Sequence, residues 1–347
     1  MTQIEVTAAD PKIRLMGRMD AAQRPLALDW TGSGCEVQFR GSGLWAELEA
    51  PAASPVMWMI VLADGCPVTR FPVEPGCRFY PLLIGMEAEK ERRVTLMKET
   101  QCMPDQPEAT VLLRTLRMDG ELRALRPRKH KIEFIGDSLT SGEGALAPRD
   151  NDEWITPWFS AWGNYSWFAC EALDAERRIL SQSGWGVNWD WQHTEAHNMT
   201  DGYELVAGVL EGPAAEKRGC RKMNDFSAWQ PDLVCIRLMT NDWNGIRERN
   251  SLEADREKAI SGCERLIRKV RKNNPEAGIV WILPGSDSHP ELAAEAVARL
   301  RREGMDRLRT FTLPDWGPED FGARAHPNAA WNRKAGGLLA DFLKTLL

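Results

Sequence analysis

Ser138 lies at a point in the sequence where a nucleophile could act. It belongs to residues 136–142, GDSLTSG, directly after a strand-like run at 131–135. In parallel α/β sheets the reacting groups lie beyond the carboxyl ends of strands. The flanking glycines allow a sharp turn and the close approach of a substrate. Because Asp and Ser are also favoured helix N-caps, this motif alone leaves a catalytic and a structural interpretation open.

A serine nucleophile needs a base, normally histidine, and the chain has five histidines. His130 lies in a basic linker, and His289 comes just before a predicted helix. His193 and His197 are four residues apart but lack the glutamate of the HExxH zinc motif, so a solvated surface is their ordinary interpretation. His326 precedes the last predicted helix, where a doubly wound sheet would bring it near the first strand.

Acyl transfer also needs hydrogen-bond donors for the oxyanion. The Gly184 N–H, in residues 183–186 (SGWG), and the Asn241 amide, in residues 240–242 (TND), each follow a predicted strand. Either segment alone is more typical of a turn. Four such segments in the order Ser, Gly, Asn, His, each at a strand end, are much harder to obtain by chance.

The elements that would position these residues fall into two regions. Residues 1–127 show short alternating strands with Asp-Gly turns at 64–65 and 119–120, which predicts a β-sandwich resembling a jelly roll. After a basic linker at 126–130, residues 131–347 alternate strands and helices, which predicts a mostly parallel sheet flanked by helices. The predicted strands are 131–135, 178–182, 233–239, 278–283 and 308–313, and the predicted helices are 164–174, 252–272, 290–303 and 328–346.

The four segments resemble the conserved blocks of the SGNH, or GDSL, hydrolases. A β domain followed by IEFIGDSLTSGEG, SGWG and TNDW narrows the resemblance to carbohydrate esterase family two, which comprises two-domain acetylesterases acting on xylan and mannan. The resemblance covers nearly the whole chain, though the N-terminal domain matches only in outline. It implies Ser138 as nucleophile, His326 as general base, and an oxyanion hole formed by the Ser138 and Gly184 N–H groups and the Asn241 side chain. It implies no metal and no organic cofactor.

Two residues depart from the family pattern. Most SGNH enzymes have an aspartate three residues before the histidine, where this chain has Ala323. In a chymotrypsin-type triad, disabling the aspartate costs about 10⁴ in kcat. Members of the resembled family work with a Ser–His dyad whose ring a main-chain carbonyl orients, so we expect such a carbonyl within 316–324, with Asp320 as the alternative. Met239 stands where the family often has glycine and could narrow the pocket.

Tryptophan is unusually frequent, with 15 Trp against 10 Phe and 3 Tyr. The flat faces of sugars pack on indole rings, and the indole N–H can bond a hydroxyl. Trp185, Trp243 and Trp316 adjoin the proposed catalytic segments, so we expect them to contact a sugar. For any single tryptophan, core packing is the more common role.

Composition excludes several other classes. With 44 basic and 50 acidic side chains the net charge is −6, which argues against a nucleic-acid partner. The longest apolar run, residues 56–63, is too short to span a membrane, which takes about 20 residues. The N-terminus has no signal-peptide pattern. The eight cysteines show no CxxC spacing, so a zinc or redox pair is not expected.

These observations predict a cytoplasmic carbohydrate O-acetylesterase acting on acetylated plant-type oligo- or polysaccharides, xylan or mannan. Two alternatives stay open. One is a lipid or acyl esterase or thioesterase of the same class, which would need an apolar acyl tunnel. The other is a non-catalytic carbohydrate-binding protein on the same scaffold.

Overall fold

The structure is a computed structural model that describes residues 1–149, 151–283, 285 and 288–347. The first eleven strands form two antiparallel sheets. In one sheet the order is β1-β10-β5-β8 with β3 beside β10, and in the other it is β11-β4-β9-β6-β7 with β2 beside β4. The strands are β1 (Thr2–Glu5), β2 (Ile13–Met16), β3 (Leu26–Leu28), β4 (Gly34–Arg40), β5 (Leu44–Ala50), β6 (Met57–Ala63), β7 (Cys66–Val73), β8 (Gly76–Leu83), β9 (Glu91–Lys98), β10 (Val111–Met118) and β11 (Glu121–Arg123).

Local sequence explains these strands. Along β5 every second residue is buried, which is the period of a strand with one face on a core. β6 and β7 form the hairpin expected at Asp64-Gly65, and both turn residues have positive φ (53° and 85°), as a two-residue hairpin turn with both central residues left-handed requires. Buried side chains from both sheets pack into one cluster. This arrangement fits a β-sandwich.

The rest of the described chain forms a five-stranded parallel sheet in the order β13-β12-β14-β15-β16, together with helices. The prediction of a parallel α/β arrangement is confirmed, with element bounds differing by a few residues. The strands are β12 (His130–Gly136), β13 (Ala175–Ser181), β14 (Leu233–Arg237), β15 (Gly278–Leu283) and β16 (Leu308–Thr312). The helices are α1 (Ser138–Ser141), α2 (Tyr165–Ala172), α3 (Met199–Gly202), α4 (Pro213–Lys217), α5 (Thr240–Arg249), α6 (Leu252–Asn273), α7 (Pro290–Arg302) and α8 (Ala329–Leu343).

Sheet order brings the candidate segments together. β12 pairs with both β13 and β14, so Gly136 is in register with Ser181 on one side and Arg237 on the other. The segments that follow these three strands therefore leave the sheet at one edge. α8 packs on α2 so closely that a Cβ at Gly336 would lie 2.6 Å from the Tyr165 carbonyl oxygen. This packing holds the start of α8, and the loop before it, beside the same edge.

Buried side chains join the sandwich to the parallel sheet. Trp30 is 1% exposed, belongs to the hydrophobic cluster of the α/β region, and donates its Nε1–H to the Val206 carbonyl at 2.8 Å. The Glu99 carboxylate is buried and accepts from Ser160 Oγ at 2.9 Å and Trp162 N at 3.2 Å. Because these groups find their partners across the seam, the two regions hold each other in place. The boundary at residues 127–131 stays a prediction.

Within the described ranges, the eight cysteines are free, and no three His, Cys, Asp or Glu side chains are grouped as metal ligands. None of the described helices has the length and apolarity needed to cross a bilayer.

We expect Trp30→Ala to lower the free energy of unfolding by about 3–5 kcal/mol, because it empties a buried site and leaves the Val206 carbonyl unpaired. Urea unfolding followed by circular dichroism measures this change. Trp191→Ala removes a ring that is 52% exposed, and it serves as the control, with an expected loss below about 1 kcal/mol. Equal losses for the two variants would contradict an anchoring role for Trp30.

Candidate active site

A hydrogen-bonded Ser–His pair lies at the carboxyl edge of the sheet. Ser138 is the first residue of α1, and Asp137 caps this helix by accepting from the Leu139 N–H at 3.1 Å. Ser138 Oγ is 2.7 Å from His326 Nε2. This is the distance at which an imidazole can take the hydroxyl proton as oxygen attacks a carbonyl carbon.

The other ring nitrogen of His326 contacts the main chain. His326 Nδ1 is 2.8 Å from the carbonyl oxygen of Arg324, which falls within the stretch 316–324 where a carbonyl was anticipated. Asp320 instead accepts from the Gly317 N–H, and Ala323 is fully buried. A main-chain carbonyl therefore occupies the place that a carboxylate takes in a Ser-His-Asp triad.

Three groups that could bind an oxyanion line the same cleft as the pair: Ser138, Gly184 and Asn241. Among the described residues, the Ser138 and Gly184 N–H groups have no acceptor. Asn241 Nδ2 donates one hydrogen to the Trp185 carbonyl at 3.1 Å, which orients the amide and leaves its second hydrogen available. The arrangement can polarise a bound carbonyl, and the roles of these residues remain a prediction.

The buried carboxylate of Asp242 shapes the glycine block. It accepts from the N–H groups of Val187 and Asn188 at 2.8 Å and of Trp189 at 3.2 Å. Burial raises the pKa of Asp242 to about 6, although these donors act in the opposite direction. A Cβ at Gly186 would overlap the carboxyl group. Sequence reasoning assigned this aspartate no role, although its place directly after Asn241 was a signal.

A second buried carboxylate lies behind the nucleophile. Asp137 Oδ2 is 3.6 Å from Arg237 Nη1, which also donates to Thr240 Oγ1 at 2.9 Å. Burial raises the pKa of Asp137, opposed by the charges of Arg237 and His326.

The cleft has a volume of about 690 Å³, and both regions of the chain line it. The sandwich contributes Ser54, Pro55, Gln101 and the segment 103–106. Sequence reasoning missed this wall, since these residues carry no aromatic or catalytic pattern. Two further tryptophans also line the cleft, Trp154 and Trp191, which are 39% and 52% exposed.

Of the three tryptophans expected to contact a sugar, one lies in the cleft. Trp185 lines it and stacks on His197, with ring centroids 5.1 Å apart. Trp243 and Trp316 are not among the described residues that line this cleft, and their contact with a sugar stays a prediction. Trp243 packs between the core and His289, and Trp316 packs edge-on against the buried Trp331.

Met239 lies in the core rather than at the cleft. Met239 is buried, packs in the core and has φ of +96°, a conformation that favours glycine. It is not among the cleft residues, so it does not narrow the pocket.

The two histidines that are four residues apart, His193 and His197, contact different carboxylates. His193 Nε2 is 3.1 Å from Asp255, and His197 Nδ1 is 3.0 Å from Asp190. The two rings therefore have separate partners.

Known proteins are similar to this chain over most of its length. The acetyl xylan esterase Est2A from the rumen bacterium Butyrivibrio proteoclasticus has 30% sequence identity and a TM-score of 0.94, over 99% of each chain. An acetylxylan esterase/glucomannan deacetylase from Cellvibrio japonicus is 27% identical over 283 residues, which are 79% of this chain and 72% of that protein. The cellulase/esterase CelE of Acetivibrio thermocellus is 25% identical over 92% of this chain, which spans only 37% of CelE. No protein-family model matches the sequence.

We expect Gly186→Ala to slow hydrolysis of 4-nitrophenyl acetate and to lower the free energy of unfolding by about 1–3 kcal/mol, because the added methyl group displaces the Asp242 carboxylate and the loop it holds. Steady-state kinetics and urea unfolding measure the two effects. Gly337→Ala in α8 is the matched control, because a Cβ there meets nothing within 4 Å. It should leave the rate unchanged. Normal kinetics in Gly186→Ala would contradict the proposed role of this loop.

Proposed function

Because the chain belongs to carbohydrate esterase family two and is an esterase, we propose that it removes O-acetyl groups from plant-type oligo- or polysaccharides by Ser–His acyl transfer. One observation carries the proposal. Ser138 Oγ is 2.7 Å from His326 Nε2, while the opposite ring nitrogen is 2.8 Å from the Arg324 carbonyl oxygen. Both hydrogen bonds that a catalytic histidine needs are therefore in place.

In the proposed mechanism Ser138 Oγ attacks the acetyl carbonyl carbon as His326 Nε2 takes the hydroxyl proton. The Ser138 and Gly184 N–H groups and the Asn241 amide stabilise the resulting oxyanion. His326 then gives its proton to the departing sugar oxygen, and the acetyl group remains as an ester on Ser138. A water molecule, deprotonated by the same ring, hydrolyses this ester to acetate and restores the serine.

The cleft favours a hydroxylated substrate over a long acyl chain. Its lining combines indole rings with polar groups such as Gln101, Gln182 and Asn244. Indoles suit the C–H faces of sugars, and amides suit their hydroxyl groups. The names of the Butyrivibrio and Cellvibrio relatives point to acetylated xylan and glucomannan, which are the substrates we propose here.

Acetate release from acetylated xylo- and manno-oligosaccharides tests the function. We expect Ser138→Ala and His326→Ala each to lower kcat by at least about 10³-fold, because nucleophile and base act as one unit. His130→Ala is the control, since this residue begins β12, the strand at whose other end Ser138 follows, and it should retain parent activity.

Other outcomes of this experiment would overturn the proposal in distinct ways. A parent protein that binds the oligosaccharides but releases no acetate, even from aryl acetates, would be a binding protein. Faster hydrolysis of octanoyl than of acetyl aryl esters would indicate a lipid or acyl esterase instead.

We expect Trp154→Ala to raise KM for an acetylated oligosaccharide by about fivefold, the equivalent of about 1 kcal/mol of lost packing between indole and sugar. Because 4-nitrophenyl acetate has no sugar to contact Trp154, its kcat and KM should be unchanged in the same variant. Equal effects on both substrates would show that the residue supports the dyad rather than the glycan.

A further inference from the structure

Glu143 is a buried carboxylate that contacts three segments of the candidate site. It is 5% exposed, and it lies five residues after Ser138, whose carbonyl accepts from the Glu143 N–H at 3.0 Å. Its Oε1 accepts from Arg324 Nε at 3.0 Å, and its Oε2 is 2.5 Å from Ser183 Oγ. The nucleophile turn, the glycine block and the histidine loop therefore meet at one side chain.

The histidine loop needs such a contact because its backbone is strained. Arg324 and Ala325 have φ of +54° and +58°, and this left-handed conformation is unfavourable for residues other than glycine. Main-chain bonds also tether the loop, since Ala323 N donates to the Gly144 carbonyl at 3.3 Å and Arg324 N to the Asn151 carbonyl at 2.9 Å. The Arg324 side chain, 44% exposed, has Glu143 as its salt-bridge partner among the described residues.

Ser183 extends the contact to the oxyanion side and to the sandwich. It directly precedes Gly184, and its N–H and hydroxyl both lie 2.9 Å from Gln101 Oε1. Gln101 is fixed in turn by Lys98, a fully buried cation whose Nζ donates to the Gln101 carbonyl at 2.9 Å. A displacement of Glu143 would therefore move both the carbonyl that orients His326 and the glycine of the proposed oxyanion hole.

We infer that Glu143 and Arg324 form a positioning pair that holds the His326 ring and the Gly184 loop in their reactive arrangement. The inference rests on the proposed acyl-transfer function. Glu143 exchanges no proton with substrate. It acts through the Arg324 side chain on the Arg324 carbonyl, and through Ser183 on Gly184. The pair supplies the rigidity that a carboxylate at position 323 would otherwise give to the histidine.

A double-mutant cycle with 4-nitrophenyl acetate tests the pair. We expect Glu143→Ala and Arg324→Ala each to lower kcat by about 10- to 100-fold with KM changed less than about twofold, because misplacing a catalytic group by about 1 Å has effects of this size. The kcat of the double variant should match that of the less active single variant, because each substitution alone already breaks the Glu143–Arg324 salt bridge. Arg324→Lys keeps the charge and should recover part of the loss.

The reaction of Ser138 with a fluorophosphonate provides a second readout that needs no acetylated carbohydrate. The labelling rate of the Glu143 and Arg324 variants should fall in parallel with their kcat. The thermal midpoint of Glu143→Gln, a near-isosteric variant, should stay near that of the parent. The control is Glu257→Ala, which breaks an exposed ion pair with Arg299 between α6 and α7. It should change neither rate.

Several results would overturn the inference. A rise in KM alone for Arg324→Ala would make this residue a substrate ligand, and independent losses that multiply in the double variant would show two unrelated roles. If the parent releases no acetate but its Ser138 reacts with the fluorophosphonate, the proposed function fails, and the fluorophosphonate rates still decide the positioning role. If Ser138 of the parent protein does not react with the fluorophosphonate, both the proposed function and the positioning role are contradicted.

Discussion

The hydrogen bond between His326 Nδ1 and the Arg324 carbonyl decides what the rest of the site can do. A carbonyl oxygen can only accept, so the neutral imidazole must carry its single proton on Nδ1. Nε2 is then the acceptor that faces Ser138. A histidine on a loop does not hold one tautomer and one orientation by itself. The left-handed turn at 324–325 and its bonds to Glu143 and Gly144 hold the Arg324 carbonyl in the position where it makes this contact.

A carbonyl orients the ring as a carboxylate would but brings no full negative charge. In the proposed mechanism the charge of the transient imidazolium would be balanced by groups farther away, and the cleft edge holds two buried carboxylates. Asp137 is buried directly before Ser138, and Glu143 forms a salt bridge with Arg324. Under this proposal, orientation and charge compensation, which one aspartate provides in a triad, are distributed over several residues.

The sequence predicted what depends on local pattern and on strand order. The spacing of short segments after successive strands was enough to predict that Ser138, Gly184, Asn241 and His326 meet, because neighbouring parallel strands end at a common edge. Adjacency in sequence to the catalytic segments did not place Trp243 or Trp316 in the described lining of the cleft. Asn241 and Trp243 are two residues apart on α5, which turns their side chains about 200° from each other. Asn244, on the same side as Asn241, lines the cleft instead.

Contacts between distant segments lay beyond such reasoning. Gln101 is separated from Ser183 by 82 residues and Glu143 from Arg324 by 181, and no local pattern links them. The contact of Gln101 with Ser183 depends on how the sandwich packs against the parallel sheet, which Trp30 and Glu99 secure. The contact of Glu143 with Arg324 depends on how the loop before α8 folds back onto the turn after β12.

The two halves of the chain contribute different kinds of residues to the cleft. Every proposed reacting group belongs to the parallel-sheet half, whereas the segment 103–106 and the neighbouring Ser54 and Pro55 only give the opposite wall its shape. None of those side chains takes part in the proposed acyl transfer. If the proposed function holds, substitutions there would change which substituted sugar chains fit while the reacting groups stay in place, so substrate range and turnover could evolve separately.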